Sequence, residues 1–270
     1  AQGTPAKMIW QSWGHSGGQV PGELDLSDGN LESSYVGQRV LAWFDRYLQK
    51  ETETDTGPEF AYYRSWQSGY GTADRLPALS QQLYLSGDGK LVDNRSKVVR
   101  GSRQYTNWLV PRAIRRVRSP PLIGLPDPKP YDTKGTYLGW RSAPLTAPLD
   151  VVGAPKATLK VVSPKAERVQ NSGDASDKLV LFAKVYDVAP DGTRTLVNRL
   201  VSPVRVPDVT RPFTVELPGI VHRYEKGHRL EFVIAASDTA YFGNRGIKPV
   251  TVVSAPEDTG VLELPVVPAG

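Results

Sequence analysis

The residues best placed to do chemistry lie within Met8–Gly18, MIWQSWGHSGG. A short apolar run, Met8-Ile9-Trp10, stops at a glycine-rich turn that carries His15 and Ser16. Apolar runs that end at glycine read as buried strands entering a loop. A titratable side chain there is fixed by the strand and exposed by the turn. Two forms of acyl-transfer chemistry fit. Gly14-His15-Ser16-Gly17-Gly18 matches G-x-S-x-G, the sharp strand-to-helix turn that presents a serine nucleophile. In the other form His15 is the general base of a triad and Ser16 is incidental. The serine turn needs a helix straight after it, which Pro21 and Gly22 oppose. It also needs half a sheet upstream, where this sequence has about a dozen residues. The plain alternative for the stretch taken alone is a polar turn without chemistry.

A histidine presented this way needs a strand before it and packed structure after it. Residues 16–30 are rich in turn formers, among them Gly17, Gly18, Pro21, Gly22, Asp28, Gly29 and Asn30. One amphipathic helix is predicted from about Ser33 to Lys50. Val36, Val40, Phe44 and Leu48 recur every four residues, Leu41 and Tyr47 widen the stripe, and Ser33 or Ser34 can cap its start. The polar run from Lys50 to Pro58 then reads as a linker. It sets predicted domains at 1–56 and 57–270. Beyond Glu59 the period falls to two, with strands expected at 60–63, 82–85, 158–162, 179–186 and 230–234. Asp191-Gly192 between two such runs is a strong hairpin signal. Many short strands without intervening helices favour a sandwich or jelly roll over a parallel sheet.

Composition narrows the function classes. The chain has 270 residues, 39% of them hydrophobic, enough for a packed core. With no Cys there are no disulfides and no thiolate metal sites. No apolar run is long enough to span a bilayer as a helix. The net charge of +5 favours solubility without naming a partner. Arg100, Arg103, Arg112, Arg115, Arg116 and Arg118 precede a proline-rich piece, Pro120 to Pro130, read as an irregular surface connection. No nucleic-acid-binding motif accompanies the charge.

The order of pieces is informative. A strand, a His-bearing loop, a helix containing Ala42-Trp43-Phe44-Asp45-Arg46-Tyr47-Leu48, a linker and an all-β region follow one another. Three later groups add to it: Ser142–Leu145 with Val152–Pro155, then Lys184–Gly192, then Gly227–Leu230 with Ala235–Asp238. This resembles the C-terminal end of the X-prolyl dipeptidyl peptidase and cocaine-esterase family of α/β-hydrolases. The resemblance implies a mainly β chain: a jelly-roll β-sandwich preceded by a strand–His loop–helix remnant of an α/β-hydrolase domain. It implies that His15 is the catalytic general base. The nucleophile serine and the acid would lie on a missing N-terminal catalytic portion, since Asp25 and Asp28 follow His15 in the wrong chain order. It further implies a peptide or ester substrate, a jelly roll that can contribute to a homo-oligomer, and no activity in this chain alone. The residues themselves lead to the expectation of no cofactor, no metal, and no nucleic-acid or membrane partner. The competing function is a non-catalytic β-sandwich module that binds carbohydrate, peptide or protein. An open apolar surface on the first strand and helix would favour the hydrolase, and a closed polar one the module.

Other candidates read as structural. His222 and His228 look like turn residues at strand starts, and the three histidines lack metal-ligand spacing. Asp187 and Asp191 look like turn formers, with calcium as their alternative. Trp66, Tyr62, Tyr63 and Tyr70 look like packing rather than a substrate wall, and Trp13 like a pocket wall or packing.

Overall fold

In the computed structural model, which describes residues 3, 5–11, 31–106, 132–238, 241 and 243–268, β1 (Met8–Trp10) runs parallel to β2 (Phe60–Arg64), in register from Met8↔Phe60 to Trp10↔Tyr62. A parallel pair cannot be closed by a hairpin and needs a crossover. Here the crossover contains α1 (Tyr35–Tyr47). The Ser34 hydroxyl accepts the Gly37 N–H at 3.0 Å and so caps its first turn. β3 (Gly69–Ala73) folds back antiparallel on β2, giving the order β1-β2-β3.

The run Phe60-Ala61-Tyr62-Tyr63, expected as the first strand of the β domain, therefore belongs beside the first strand. Its four residues are all buried rather than alternating, the mark of a strand covered on both faces. A period-two reading has no way to say which sheet a strand will join. The compact units accordingly run Ala1–Pro77 and Ala78–Gly270, and the boundary read at 56/57 falls inside the first. Tyr62, Tyr63 and Tyr70 are packing, as expected. Trp10 meets Phe60 edge-on at 5.3 Å, Tyr63 meets Tyr70 at 5.3 Å, and Tyr35 stacks on Tyr70 at 4.2 Å. Gly71 lies opposite Tyr62, where any Cβ would sit 2.5 Å from the ring.

The second unit is an antiparallel β-sandwich. Its strands begin with β4 (Gln81–Leu85), β5 (Leu91–Val92), β6 (Gly101–Tyr105), β7 (Tyr137–Arg141), β8 (Leu149–Gly153) and β9 (Lys156–Leu159). After a short helix, α2 (Pro164–Val169), come β10 (Val180–Val188), β11 (Arg194–Leu196), β12 (Ser202–Arg205), β13 (Phe213–Glu216) and β14 (Ile220–Tyr224). The series ends with β15 (Arg229–Ala235), β16 (Val250–Ser254), β17 (Val261–Leu264) and β18 (Val266–Val267). One sheet has the order β11-β10-β15-β7, with β12 also on β10. A second runs β13-β9-β17-β4-β5, and smaller sheets are β14-β8-β18 and β16-β6.

The expected hairpin is present. Tyr186↔Leu196 and Val188↔Arg194 pair across a turn in which Asp191 accepts the Thr193 N–H at 2.8 Å and Gly192 sits at φ +87°. Inward residues of the first sheet, among them Leu181, Ala183 and Val185 on β10 and Leu230, Phe232 and Ile234 on β15, close on Trp140 and the facing sheets. Burying each large side chain contributes about 1.5–3 kcal/mol. The reverse face of this sheet is covered too. Phe182, Tyr186, Val188, Val233 and Ala235 form a second, smaller core there.

Candidate functional site

His15, Ser16, Trp13, Asp25 and Asp28 lie outside the described residues. The elements on either side of that stretch are described. β1 has β2 on one side, and no second neighbour among the described residues. α1 turns its apolar stripe to solvent. Val40, Leu41, Phe44 and Tyr47 are each about two-fifths to one-half exposed and Leu48 is 71% exposed; Met8 of β1 is 45% exposed. Between β1 and α1 lies a groove of about 370 Å³ lined by Lys7, Ile9, Arg39, Val40, Trp43 and Phe44. At its rim Lys7 donates to the carbonyls of Gly57 at 2.8 Å and Pro58 at 2.5 Å. Burial, followed by the nearby Arg39 charge, lowers the pKa of its ammonium. Scattered apolar residues are normal on a surface, but one contiguous stripe marks an interaction face.

The second unit carries two polar clusters. At one rim of the sandwich Asp187 of β10 accepts from both histidines of the described chain. His222 Nε2 of β14 is 2.9 Å from Oδ2, and His228 Nδ1, just before β15, is 2.8 Å from Oδ1. His222 also meets Tyr224 edge-on at 4.7 Å. Burial pushes the Asp187 pKa up, but the two imidazole hydrogen bonds outweigh it and the net direction is down. Asp187 is thus not a turn former. It ties two sheets together, while Asp191 keeps the turn role.

The other cluster sits in the reverse-face core. Lys184 is fully buried in the middle of β10, with Nζ 2.8 Å from Asp132 Oδ1 and 3.1 Å from Asp238 Oδ2. Tyr186 donates its hydroxyl to Asp132 Oδ2 at 2.5 Å. Burial, and then the Asp132 charge, push the pKa of that hydroxyl upward. Next to it Arg194 lies 4.2 Å over the Tyr186 ring and bonds Glu231 at 2.7 Å, with Arg141 on the same carboxylate at 3.3 Å. Burial alone would lower the Arg194 pKa, yet Glu231 turns the net direction upward. Gly139 makes room for this carboxylate, since a Cβ there would lie 2.7 Å from Glu231 Oε1. Buried charges persist only when paired in this way.

Neither cluster is legible from residue spacing. The one signal was Lys184 itself, a charge inside the apolar run VLFAKVYDV. Its partners lie 52 and 54 residues away in sequence, where spacing carries no information. The arginine-rich stretch resolves in part. Arg100 pairs with Glu257, and Arg103 donates to the Gly139 carbonyl at 2.6 Å with its guanidinium over Trp140. Residues 107–131 lie outside the description.

Comparison with known proteins agrees with this architecture. Two mycobacterial proteins, from Mycobacterium bovis and Mycobacterium tuberculosis, are provisionally named serine esterases. Each is 26% identical over 87% of this chain. The chain spans only 41% of their length. Among solved structures, an aminopeptidase from a marine sediment Thaumarchaeota archaeon superposes with a TM-score of 0.69 at 18% identity, over 97% of this chain and 49% of its own. An α-amino acid ester hydrolase gives 0.61 at 17% identity, over 87% and 46%. A CocE/NonD family hydrolase from Staphylococcus aureus gives 0.58 at 14%, over 90% and 46%. At such identities these likenesses speak for the fold alone. The profile of the X-Pro dipeptidyl-peptidase C-terminal non-catalytic domain matches residues 41–248, from the middle of α1 onward. That match takes in three-quarters of the sequence, and the chain belongs to this family of C-terminal, non-catalytic hydrolase domains.

Proposed function

We propose that this chain is the C-terminal part of a serine hydrolase of dipeptidyl-peptidase or acyl-esterase type. In this reading it supplies the general base, His15, and the β-sandwich. The imidazole takes the proton of a serine hydroxyl as that oxygen attacks the substrate carbonyl, then returns it to the departing amine or alcohol. Water repeats the cycle on the acyl ester. The serine and the acid that orients the imidazole belong to polypeptide upstream of Met8.

One observation carries the reading: β1 has a single described neighbour and is parallel to it, and α1 beside it exposes an apolar stripe. Parallel strands belong to sheets covered by helices on both faces, and β1 and α1 have the character of the last pieces of such a sheet. The greater length of the mycobacterial relatives supports this. A free-standing binding module would close this face with polar residues, so the stripe speaks against it.

The experiment compares the chain as it stands with a version extended upstream through the neighbouring coding sequence. Both are assayed on p-nitrophenyl acetate and on glycyl-prolyl-p-nitroanilide. The extended protein is expected to turn over at least one substrate and to lose kcat on His15→Ala. Turnover by the unextended chain that disappears on Ser16→Ala would restore the serine-turn reading and overturn this one.

A further inference from the structure

We propose that Lys184 and Asp132 form an intramolecular amide cross-link, with Asp238 as proton carrier and Tyr186 as oxyanion donor. Four observations on the reverse-face core carry it. The lysine and the Asp132 carboxyl are completely buried, with Nζ and Oδ1 at 2.8 Å. A second carboxylate, Asp238, lies 3.1 Å from the same nitrogen and is nearly buried. Tyr186 holds the far oxygen of Asp132 at 2.5 Å, and its raised pKa keeps it a proton donor. The walls are apolar: Phe182, Val188, Val233 and Ala235. The topology suits a tie as well. Lys184 is on β10, Asp132 leads into β7, and Asp238 follows β15, the strand that lies between β10 and β7.

The step balances without any co-reactant. The Lys184 ammonium passes one proton along its 2.8 Å contact to Oδ1 of Asp132, giving a neutral amine and a neutral carboxyl. The nitrogen attacks Cγ as Asp238 takes a second proton from it. The charge that develops on Oδ2 is met by the Tyr186 O–H and by Arg194, whose Nη2 is 3.8 Å away. The C–O bond to Oδ1 then breaks. That oxygen leaves as water, carrying the proton it received from the ammonium and the one stored on Asp238. An ammonium and a carboxylate become one amide and one water, with no change in net charge. Holding the reacting groups in contact removes the entropic barrier, and the dry site disfavours the charged pair relative to the neutral amide. In a chain without cysteine, such a bond would do the work of a disulfide. It would close a loop of about 50 residues and restrict the unfolded chain.

Intact-mass spectrometry of the purified, unfolded chain tests this without any variant. The expected mass is that of the sequence less one water, with a proteolytic fragment joining the peptides of Asp132 and Lys184. Asp132→Asn, nearly isosteric, is expected to lose ammonia instead of water, and Lys184→Arg to lose nothing. A wild-type mass equal to that of the sequence overturns the proposal. So does a deficit that persists in Lys184→Arg, or one that maps to a cyclised aspartate at Asp88-Gly89 or Asp191-Gly192.

Discussion

Replacing Asp187 with alanine removes the acceptor that two imidazoles share. The carboxylate takes hydrogen bonds of 2.9 and 2.8 Å from His222 and His228, and its side chain is 11% exposed. Hydrogen bonds to a charged group contribute about 1.5–3 kcal/mol each, so the pair is worth roughly 3–6 kcal/mol before any relief. Both rings are about one-quarter exposed, and water can reach them once the carboxylate is gone. A net loss of about 3 kcal/mol is expected. The dependence on pH follows from the depressed pKa of Asp187. A carboxyl more acidic in the folded than in the unfolded state stabilises the fold above the unfolded value, about 3.9. That contribution disappears as pH falls through the folded value. The gap between wild type and Asp187→Ala should therefore be full at neutral pH and shrink below about pH 4. Urea denaturation followed by far-UV circular dichroism at a series of pH values measures it. A variant within about 0.5 kcal/mol of wild type at neutral pH, the usual range for surface changes, would refute the reasoning. So would a gap that stays constant into strong acid.

Three further outcomes follow from the same structure. Glu231→Ala leaves Arg194 and Arg141 facing an empty site, and removing one partner of a buried pair costs about 3–5 kcal/mol; because Arg141 is 43% exposed, the denaturation midpoint should reflect the lower end. Gly87→Ala places a Cβ 2.5 Å from the backbone of Gly101; a loss of about 1–3 kcal/mol is expected from overpacking, measurable by thermal melting. Phe44→Ser with Leu48→Ser should leave the melting temperature nearly unchanged but reduce self-association of the isolated chain in sedimentation velocity. Unaltered association would show that the α1 stripe is not the adhesive face.

What the sequence reveals depends on how local the determining forces are. The α1 helix, its Ser34 cap and its apolar stripe are written within fifteen residues, and the Asp191-Gly192 turn within four, so both are legible. Some strands of the sandwich are legible for the same reason: burial alternates along β9, β13 and β17, whereas β10 and β15 are buried beyond their first residues and show as apolar runs. Partnership is not local. Phe60–Tyr63 has the same β character whether it pairs with Met8–Trp10 or with a sandwich strand. Only the parallel register and the crossover through α1 decide, and these depend on the whole first unit. Polar clusters are harder still. Asp187, His222 and His228 meet because β10 pairs with β15 while β14 lies in another sheet, and no spacing rule encodes that.

This difference bears directly on His15. His15 lies outside the described residues, and the elements on either side of it are what the structure describes. Among the described residues, a three-residue strand with one parallel neighbour and a helix with its apolar stripe in water do not satisfy the requirements of an α/β sheet by themselves. The sandwich does satisfy its own, burying both faces of β10 and pairing its buried charges internally. The two units thus differ: the sandwich buries both faces of its central strand, while the first unit leaves a run of apolar side chains on α1 exposed. Exposed apolar area of this kind is where further polypeptide binds.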